Sequence, residues 1–98
     1  MAENLFDLTG KVALVTGAIS GLGFGFAEGL ARAGSDIILW GRRADVNSRA
    51  ADTLRSLGVN VHCESVDVTD EAAIVEGVAS GLAAMGRIDT VVANAGIA

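Results

Sequence analysis

The chain has 98 residues, enough for one small domain but not for two. Hydrophobic residues make up 51% of it, which excludes a disordered chain, and its formal net charge of −5 argues against nucleic acid as a partner. Its single cysteine excludes an internal disulfide, and no metal-ligand spacing is present, so we expect no metal site. The sequence shows no signal peptide and no apolar run near the ~20 residues of a membrane span. We therefore expect a cytoplasmic protein without a membrane partner.

The hydrophobic pattern alternates between short β-branched runs and longer segments with helical spacing. In chain order it predicts strand 11–16, helix 24–33, strand 36–40, helix 46–57, strand 60–66, helix 71–85 and strand 88–93. Gly34, Gly58 and Gly86 follow the helices as stop signals. Thr69 or Asp70 is the predicted N-cap of the third helix.

The same spacing predicts the buried faces of two helices. In the first helix the expected inward residues are Phe26, Leu30 and Ala33, with Gly25 and Ala27 in close contact with the sheet. In the third helix they are Ile74, Val78, Leu82 and Met85.

The order β-α-β-α-β-α-β, with strands apolar on both faces, predicts an α/β fold with a parallel sheet covered by helices. Right-handed crossovers place the first strand centrally and give the spatial order 3-2-1-4, the N-terminal half of a Rossmann-type doubly wound sheet. The fourth strand would then be an exposed edge. We therefore expect residues 1–98 to be the nucleotide-binding part of a single domain, truncated or paired with something else.

A glycine-rich turn joins the first predicted strand to the first predicted helix. Gly17 permits a tight exit from the strand, Gly21 removes a side chain where a diphosphate must come close, and Gly23 lets the helix pack against the sheet. The amides of the first helical turn would then face the phosphates, assisted by the helix dipole. An ordinary βα loop is the alternative, but the strand and helix that flank these glycines favour a nucleotide site.

These residues resemble the short-chain dehydrogenases/reductases. TGAISGLG at residues 16–23 is similar to the TGxxxGxG fingerprint of that family, DVTD at 67–70 to its acidic loop after strand 3, and ANAG at 93–96 to its NNAG motif. LTGK at 8–11 resembles its lead-in to the first strand. Alanine at position 93 replaces the first asparagine of the motif and so removes one side-chain amide. The lead-in and the GRR segment at 41–43 are similar to sugar-acid and 3-oxoacyl reductase-type members.

The resemblance implies a role for each motif in holding a dinucleotide. Residues lining the diphosphate and the adenosine ribose would be Gly17, Ser20, Gly21, Leu22 and Gly23. Asp67 would bind the adenine amino group, and Val68 would lie against the ring. Asn94, Ala95 and Gly96 would lie beside the adenosine and ribose. Asp67 could instead be a helix-capping carboxylate, and Asn94 a plain turn residue.

The end of the second strand indicates which nicotinamide cofactor is used. An acidic residue there holds the ribose 2′-hydroxyl of NAD, whereas an arginine accommodates the 2′-phosphate of NADP. Gly41 occupies the acidic position and Arg42 and Arg43 follow it. Because a guanidinium binds a phosphate through two parallel hydrogen bonds, we predict NADP, with Arg42 as the main contact and Arg43 as support, and NAD as the less favoured cofactor. Both arginines could instead be solvated residues beside a helix.

The family resemblance implies a serine, a Tyr-x-x-x-Lys pair and an asparagine for catalysis, and none of these can be placed in a chain without tyrosine. The parent protein would move a hydride between the nicotinamide and a small alcohol or carbonyl substrate and would form a homo-oligomer, a tetramer or a dimer. Residues 1–98 alone would bind the cofactor without turnover. The alternatives are a non-catalytic NAD(P)-binding module or sensor, and a truncated product that binds no ligand.

Overall fold

A computed structural model describes residues 7–17, 21–41 and 44–93 of the chain. It shows alternating strands and helices. The strands are β1 (Val12–Thr16), β2 (Asp36–Gly41), β3 (Val61–Ser65) and β4 (Thr90–Ala93). The helices are α1 (Gly21–Arg32), α2 (Ala44–Arg55) and α3 (Glu71–Met85).

The strands form one parallel sheet with the order β3-β2-β1-β4, as the sequence predicts. In the register of the sheet, Thr16 of β1 lies opposite Trp40 of β2 and Ala93 of β4, and Gly41 lies opposite Ser65 of β3. The carboxyl ends of all four strands therefore lie at one edge of the sheet.

The two central strands carry a hydrophobic core on each face of the sheet, because successive side chains of a strand point to opposite faces. One core joins the sheet to α1 and α2 and includes Ala13, Val15, Ile37, Leu39, Ala27, Ala31, Ala51 and Leu54. The other includes Val12, Leu14, Ile38, Trp40 and Val66, and α3 packs against it. Helices on both faces confirm the doubly wound arrangement.

Small residues of α1 face the sheet, and two expectations about this helix are wrong. Ala27 and Ala31 are fully buried, whereas the Phe26 side chain is 48% exposed. Gly25 is also exposed, and a Cβ built there meets no atom within 4 Å. The helix approaches the sheet along its narrow alanine face, which turns the larger Phe26 side chain outward.

Glycines determine the orientation of α3 in the same way. Gly77 and Gly81 are its buried residues, while the Leu82 side chain is 43% exposed, contrary to the expectation that it points inward. Ile74, Val78 and Met85 do pack against the core. Apolar spacing alone misassigns the face because glycine adds nothing to a hydrophobic pattern yet permits the closest approach of two backbones.

At the turn that follows α1, Gly34 adopts a φ of +102°, and a Cβ there would lie 2.7 Å from Thr9 Oγ1 and 3.2 Å from Thr9 N. We expect Gly34→Ala to lower the free energy of unfolding by about 2 kcal/mol, because both the backbone conformation and the contact are unfavourable. Urea unfolding measures the change. The control is Gly29→Ala in α1, where a Cβ meets no atom within 4 Å and alanine should stabilise the helix by up to about 1 kcal/mol. Unchanged stability of Gly34→Ala would contradict the expectation.

Asp89 ties the start of β4 to the start of β1. Its Oδ2 atom accepts the N–H of Val12 at 2.9 Å, and its carboxylate also accepts hydrogen bonds from the Arg87 guanidinium. The hydrogen bonds from Arg87, followed by the one from Val12, hold the pKa of Asp89 below its ordinary value of 3.8.

This lowered pKa predicts a defined loss of stability in acid. The ionised Asp89 stabilises the fold above the ordinary pKa of 3.8, and that contribution is lost as the pH falls through the lower folded-state pKa. The melting temperature should therefore fall less steeply from neutral to acidic pH for Asp89→Asn than for the parent. Arg87→Ala should reduce this acid dependence less than Asp89→Asn does, because the hydrogen bond from Val12 to Asp89 remains. An acid decline of Asp89→Asn that matches the parent would refute this role.

Candidate functional site

The candidate site lies at the carboxyl edge of the sheet, where the four strands end in register. Gly17 follows β1 directly, residue 42 follows β2, Val66 follows β3 and residue 94 follows β4. Neighbouring parallel strands are about 4.8 Å apart, so chain segments that leave adjacent strands at one edge begin close together. In open α/β sheets a ligand binds in the crevice outside this edge.

The turn after β1 has the geometry that its glycines predict. Gly17 has a φ of +66°, a left-handed conformation that favours glycine, and its N–H donates to the carbonyl of Trp40 with an N···O distance of 3.1 Å. Gly21 and Leu22 open α1, and Gly23 is buried in its first turn. The chain therefore leads from the central strand into a helix through residues 17 and 21–23, and Ser20 lies outside the described residues.

The amino end of α1 fits an anionic group better than that of α3 does. No acidic residue occurs in the first turn of α1. The first turn of α3 carries Glu71, and its N-cap Asp70 already accepts hydrogen bonds from the N–H groups of Ala72 and Ala73. Because the amino end of a helix attracts negative charge, α1 can accept a phosphate where α3 holds its own carboxylates.

Asp67 shapes the loop between β3 and α3. One of its carboxylate oxygens accepts hydrogen bonds from the backbone N–H of Thr69 at 2.9 Å and from the Thr69 hydroxyl at 2.6 Å. The cap of α3 is Asp70, so the alternative role of Asp67 as the helix cap is wrong. The turn fixes a half-buried carboxylate one residue beyond the buried Val66.

Val68 lies on the α3 side of the same loop. It is half-buried and packs against the core that contains Trp40 and Val66. An apolar side chain beside an oriented carboxylate is an arrangement that could hold a flat heterocycle with exocyclic donors. The contact between Asp67, Val68 and adenine nevertheless stays a prediction.

Several predicted site residues lie outside the described residues. These are Ser20, Arg42, Arg43, Asn94, Ala95 and Gly96. The described neighbours fix only where their segments begin: Arg42 follows Gly41 at the end of β2, and Asn94 follows Ala93 at the end of β4. The structure therefore brings together the segments that begin at Gly17, Gly41, Val66 and Ala93.

Trp40 lies near the site, although no sequence motif marks it as a site residue. Its apolar character within the run 37–40 is what an ordinary core residue would also have. Its position becomes significant only in the folded sheet, where its carbonyl accepts the N–H of Gly17 and its indole N–H donates to Glu64 at 3.4 Å. A signal was available in the chain, because Trp40 is its only tryptophan and immediately precedes the GRR segment.

Two further features bear on the kind of site that is present. Across residues 7–17, 21–41 and 44–93, no three histidine, cysteine, aspartate or glutamate side chains are grouped so that they could hold a metal ion. Among the helices of these same segments, none combines the length and apolar character needed to cross a bilayer.

Comparison with known proteins agrees with this geometry. Residues 11–98 match the family model described as short chain dehydrogenase. Gluconate 5-dehydrogenase of Gluconobacter oxydans is 43% identical over 94 residues, which cover 96% of this chain and 37% of that protein. The chain thus spans little more than a third of that relative's length.

Solved structures are similar in both sequence and fold. L-Sorbose reductase from Gluconobacter frateurii, complexed with NADPH and L-sorbose, superimposes with a TM-score of 0.88 at 38% identity and covers 93% of this chain and 35% of that one. NAD+-bound xylitol dehydrogenase gives a TM-score of 0.84 at 34% identity over 86% of this chain and 32% of that one. From the family match, the sheet order and the glycine turn together, this chain belongs to the short-chain dehydrogenase family.

Proposed function

We propose that the protein is an NADP-dependent oxidoreductase that transfers a hydride between the nicotinamide and an alcohol or carbonyl group of a small molecule. The observation that carries the proposal is the turn at Gly17, which leaves the central strand with a φ of +66° and leads into a helix whose first turn has no acidic residue. This turn suits a diphosphate bound by main-chain amides.

The preference for NADP rests on the end of β2. Gly41, the last residue of that strand, is buried, offers no carboxylate to a ribose hydroxyl, and is followed by two arginines. A guanidinium there would bind the 2′-phosphate through paired hydrogen bonds. NAD is the less favoured cofactor, and among the similar structures one contains NADPH and another NAD+.

The residues predicted to form the site would serve binding rather than bond breaking. When bound, the nicotinamide supplies the site that gives or accepts the hydride. The diphosphate and ribose would be held by Gly17, Ser20, Gly21, Leu22 and Gly23. The adenine would be held by Asp67 and Val68. Asn94, Ala95 and Gly96 would lie beside the adenosine.

Catalysis is proposed to require residues that this chain does not contain. The chain has no tyrosine, so the general acid/base of the family has no counterpart among the 98 residues. We infer that residues 1–98 form the N-terminal, nucleotide-binding part of a single Rossmann domain, which on its own binds cofactor without turnover. For the complete protein we propose a cytoplasmic homo-oligomer.

The similar proteins narrow the proposed substrate class. Gluconate 5-dehydrogenase and L-sorbose reductase bear the names of a sugar acid and a ketose. We therefore propose a sugar or sugar acid as substrate, reduced at a ketone or oxidised at a hydroxyl.

A cofactor and substrate assay of the protein expressed from its natural reading frame tests these proposals. NADPH is expected to bind more tightly than NADH in a calorimetric titration. NADPH absorbance should fall with L-sorbose, or should rise when NADP+ is mixed with gluconate. Binding without hydride transfer to any sugar or sugar acid would favour the non-catalytic NAD(P)-binding module, and absence of NADPH and NADH binding would overturn the nucleotide site itself.

A further inference from the structure

Trp40 connects the loops that leave three strands at the carboxyl edge. Its carbonyl accepts the N–H of Gly17 at 3.1 Å, and the carbonyl of the next residue, Gly41, accepts the N–H of Val66 at 3.2 Å. The backbone around Trp40 is therefore bonded to the first residue after β1 and to the first residue after β3.

The indole of Trp40 is held from the side of β3. Its side chain is almost completely buried on the α3 face, and its Nε1–H donates to Glu64 Oε1 at 3.4 Å. Glu64 is the register partner of Trp40, and its Oε1 also lies 3.5 Å from His62 Nε2. His62 in turn lies 3.4 Å from the Ser80 hydroxyl of α3, so this polar group links the sheet to the helix.

Gly77 of α3 packs against the indole next to its N–H group, because a Cβ built there would lie 3.2 Å from Trp40 Cε2, the carbon bonded to Nε1. A Cβ built at Gly77 would lie 2.9 Å from Trp40 Cζ2 and 3.0 Å from Val66 Cγ2. The helix therefore contacts both the indole and Val66 at a point where only a residue without a side chain fits. Val66 directly precedes Asp67 and Val68, the residues predicted to hold the adenine.

We propose that Trp40, hydrogen-bonded to Glu64 and packed against Gly77, is a positioning residue for the adenosine half of the cofactor. It acts through Gly17 on the diphosphate turn and through Val66 on the Asp67–Val68 loop. This inference rests on the proposed nucleotide site, which it deepens by naming what fixes two of its loops relative to each other. A rigid indole suits the task, because an aromatic ring in a close-packed core has few alternative positions.

A pair of glycine substitutions in α3 tests the proposal. Gly77→Ala would press against the indole and Val66. Gly81→Ala, one turn away, would press against Ile38 Cδ1 at 2.9 Å, the flexible end of another side chain, and would meet Glu64 Oε1 only at the ordinary contact distance of 3.7 Å. In the protein expressed from its natural reading frame, we expect Gly77→Ala to raise the KM for NADPH about tenfold, in the range that small displacements of binding groups cause. The kcat at saturating NADPH should be unchanged, and Gly81→Ala should behave as the parent.

Glu64 variants provide a second test that does not alter the helix. Glu64→Leu removes the acceptor of the indole N–H and should weaken binding of both NADPH and adenosine 2′,5′-bisphosphate, the adenosine half of the cofactor. Glu64→Gln retains an acceptor oxygen and should restore most of the affinity. Thermal unfolding of every variant identifies losses of binding affinity that arise only because the variant is unfolded.

The outcomes separate this inference from the proposed function. If the parent binds NADPH and Gly77→Ala and Glu64→Leu bind it equally well, Trp40 does not position the cofactor. Equal losses in Gly77→Ala and Gly81→Ala would also overturn the proposal, because they would reflect helix packing in general. If the parent binds neither NADPH nor the bisphosphate, the proposed nucleotide site fails first.

Discussion

The affinity for NADPH is expected to fall about 100-fold or more when Gly21 is replaced by leucine, a loss of about 2.7 kcal/mol of binding free energy. Gly21 is the first residue of α1, at the end of the turn that begins with Gly17. A diphosphate held by the main-chain amides of this turn must approach the backbone closely, and an isobutyl group would occupy the same space. Calorimetric titration of the folded variant with NADPH measures the loss.

Gly25→Leu is the matched control for this substitution. Gly25 belongs to the same helix one turn later, is exposed, and has no atom within 4 Å of a Cβ built on it. Gly25→Leu adds the same leucine side chain to α1 but away from the predicted diphosphate position. NADPH affinity should therefore stay within about twofold of the parent. If Gly21→Leu binds NADPH as well as Gly25→Leu does, the diphosphate does not lie on this turn.

Replacement of Arg42 by alanine is expected to lower NADPH affinity by about 100-fold, because two charge-assisted hydrogen bonds to a phosphate are lost. NADH has no 2′-phosphate, so its affinity should change little. The preference for NADPH should therefore disappear while the general ability to bind a dinucleotide remains. Parallel titrations with the two reduced cofactors measure the ratio of affinities.

Arg49→Ala is the control for a general effect of charge. Arg49 is an exposed residue of α2, and its removal changes the net charge by the same amount. It should reduce the affinity for NADPH only slightly, because exposed charges are screened by salt over about 10 Å. A parent that binds NADH more tightly than NADPH, or an Arg42→Ala variant with unchanged NADPH affinity, would refute the cofactor assignment.

The sequence alone predicts the sheet well because its strands are short apolar runs separated by strong breakers. All seven elements lie where the pattern places them, and α3 spans the predicted residues. β1 is central because right-handed crossovers leave it between β2 and β4. Both α1 and α2 begin a few residues before the predicted starts, since hydrophobic spacing does not mark the first turn of a helix whose residues are small or polar. The end of α2 lies at Arg55 rather than at residue 57, and β4 begins at Thr90 rather than at residue 88.

The orientation of the helices is less predictable from the sequence. Gly77 and Gly81 direct α3 toward Trp40 and Ile38, yet a hydrophobic pattern gives weight to Leu82, which points away. Close approach of a helix to a sheet depends on the absence of side chains, and a pattern of apolar residues does not record an absence.

Some features of the candidate site can likewise be predicted from the sequence, and others cannot. The turn from Gly17 into α1 can be predicted from the sequence because its glycines are local signals, and Asp67 is predicted from the resemblance of its motif to the family. Their roles in binding a nucleotide stay predictions. The bond between Gly17 and Trp40 and the contact of the indole with Gly77 cannot be predicted from the sequence, because they join residues that are distant in the chain.

Within residues 1–98, the unequal burial of the central and edge strands has a consequence for local opening. Fully buried side chains are concentrated on the central strands β1 and β2, whereas β4 is largely exposed and Val91 is 59% accessible. Amide hydrogens of the central strands should therefore exchange with deuterated solvent most slowly, and those of β4 earliest among the strands. The Gly17 amide is bonded to Trp40 of a central strand, so we expect the predicted diphosphate turn to stay attached to slowly exchanging strands even though β4, the neighbour of β1, exchanges early.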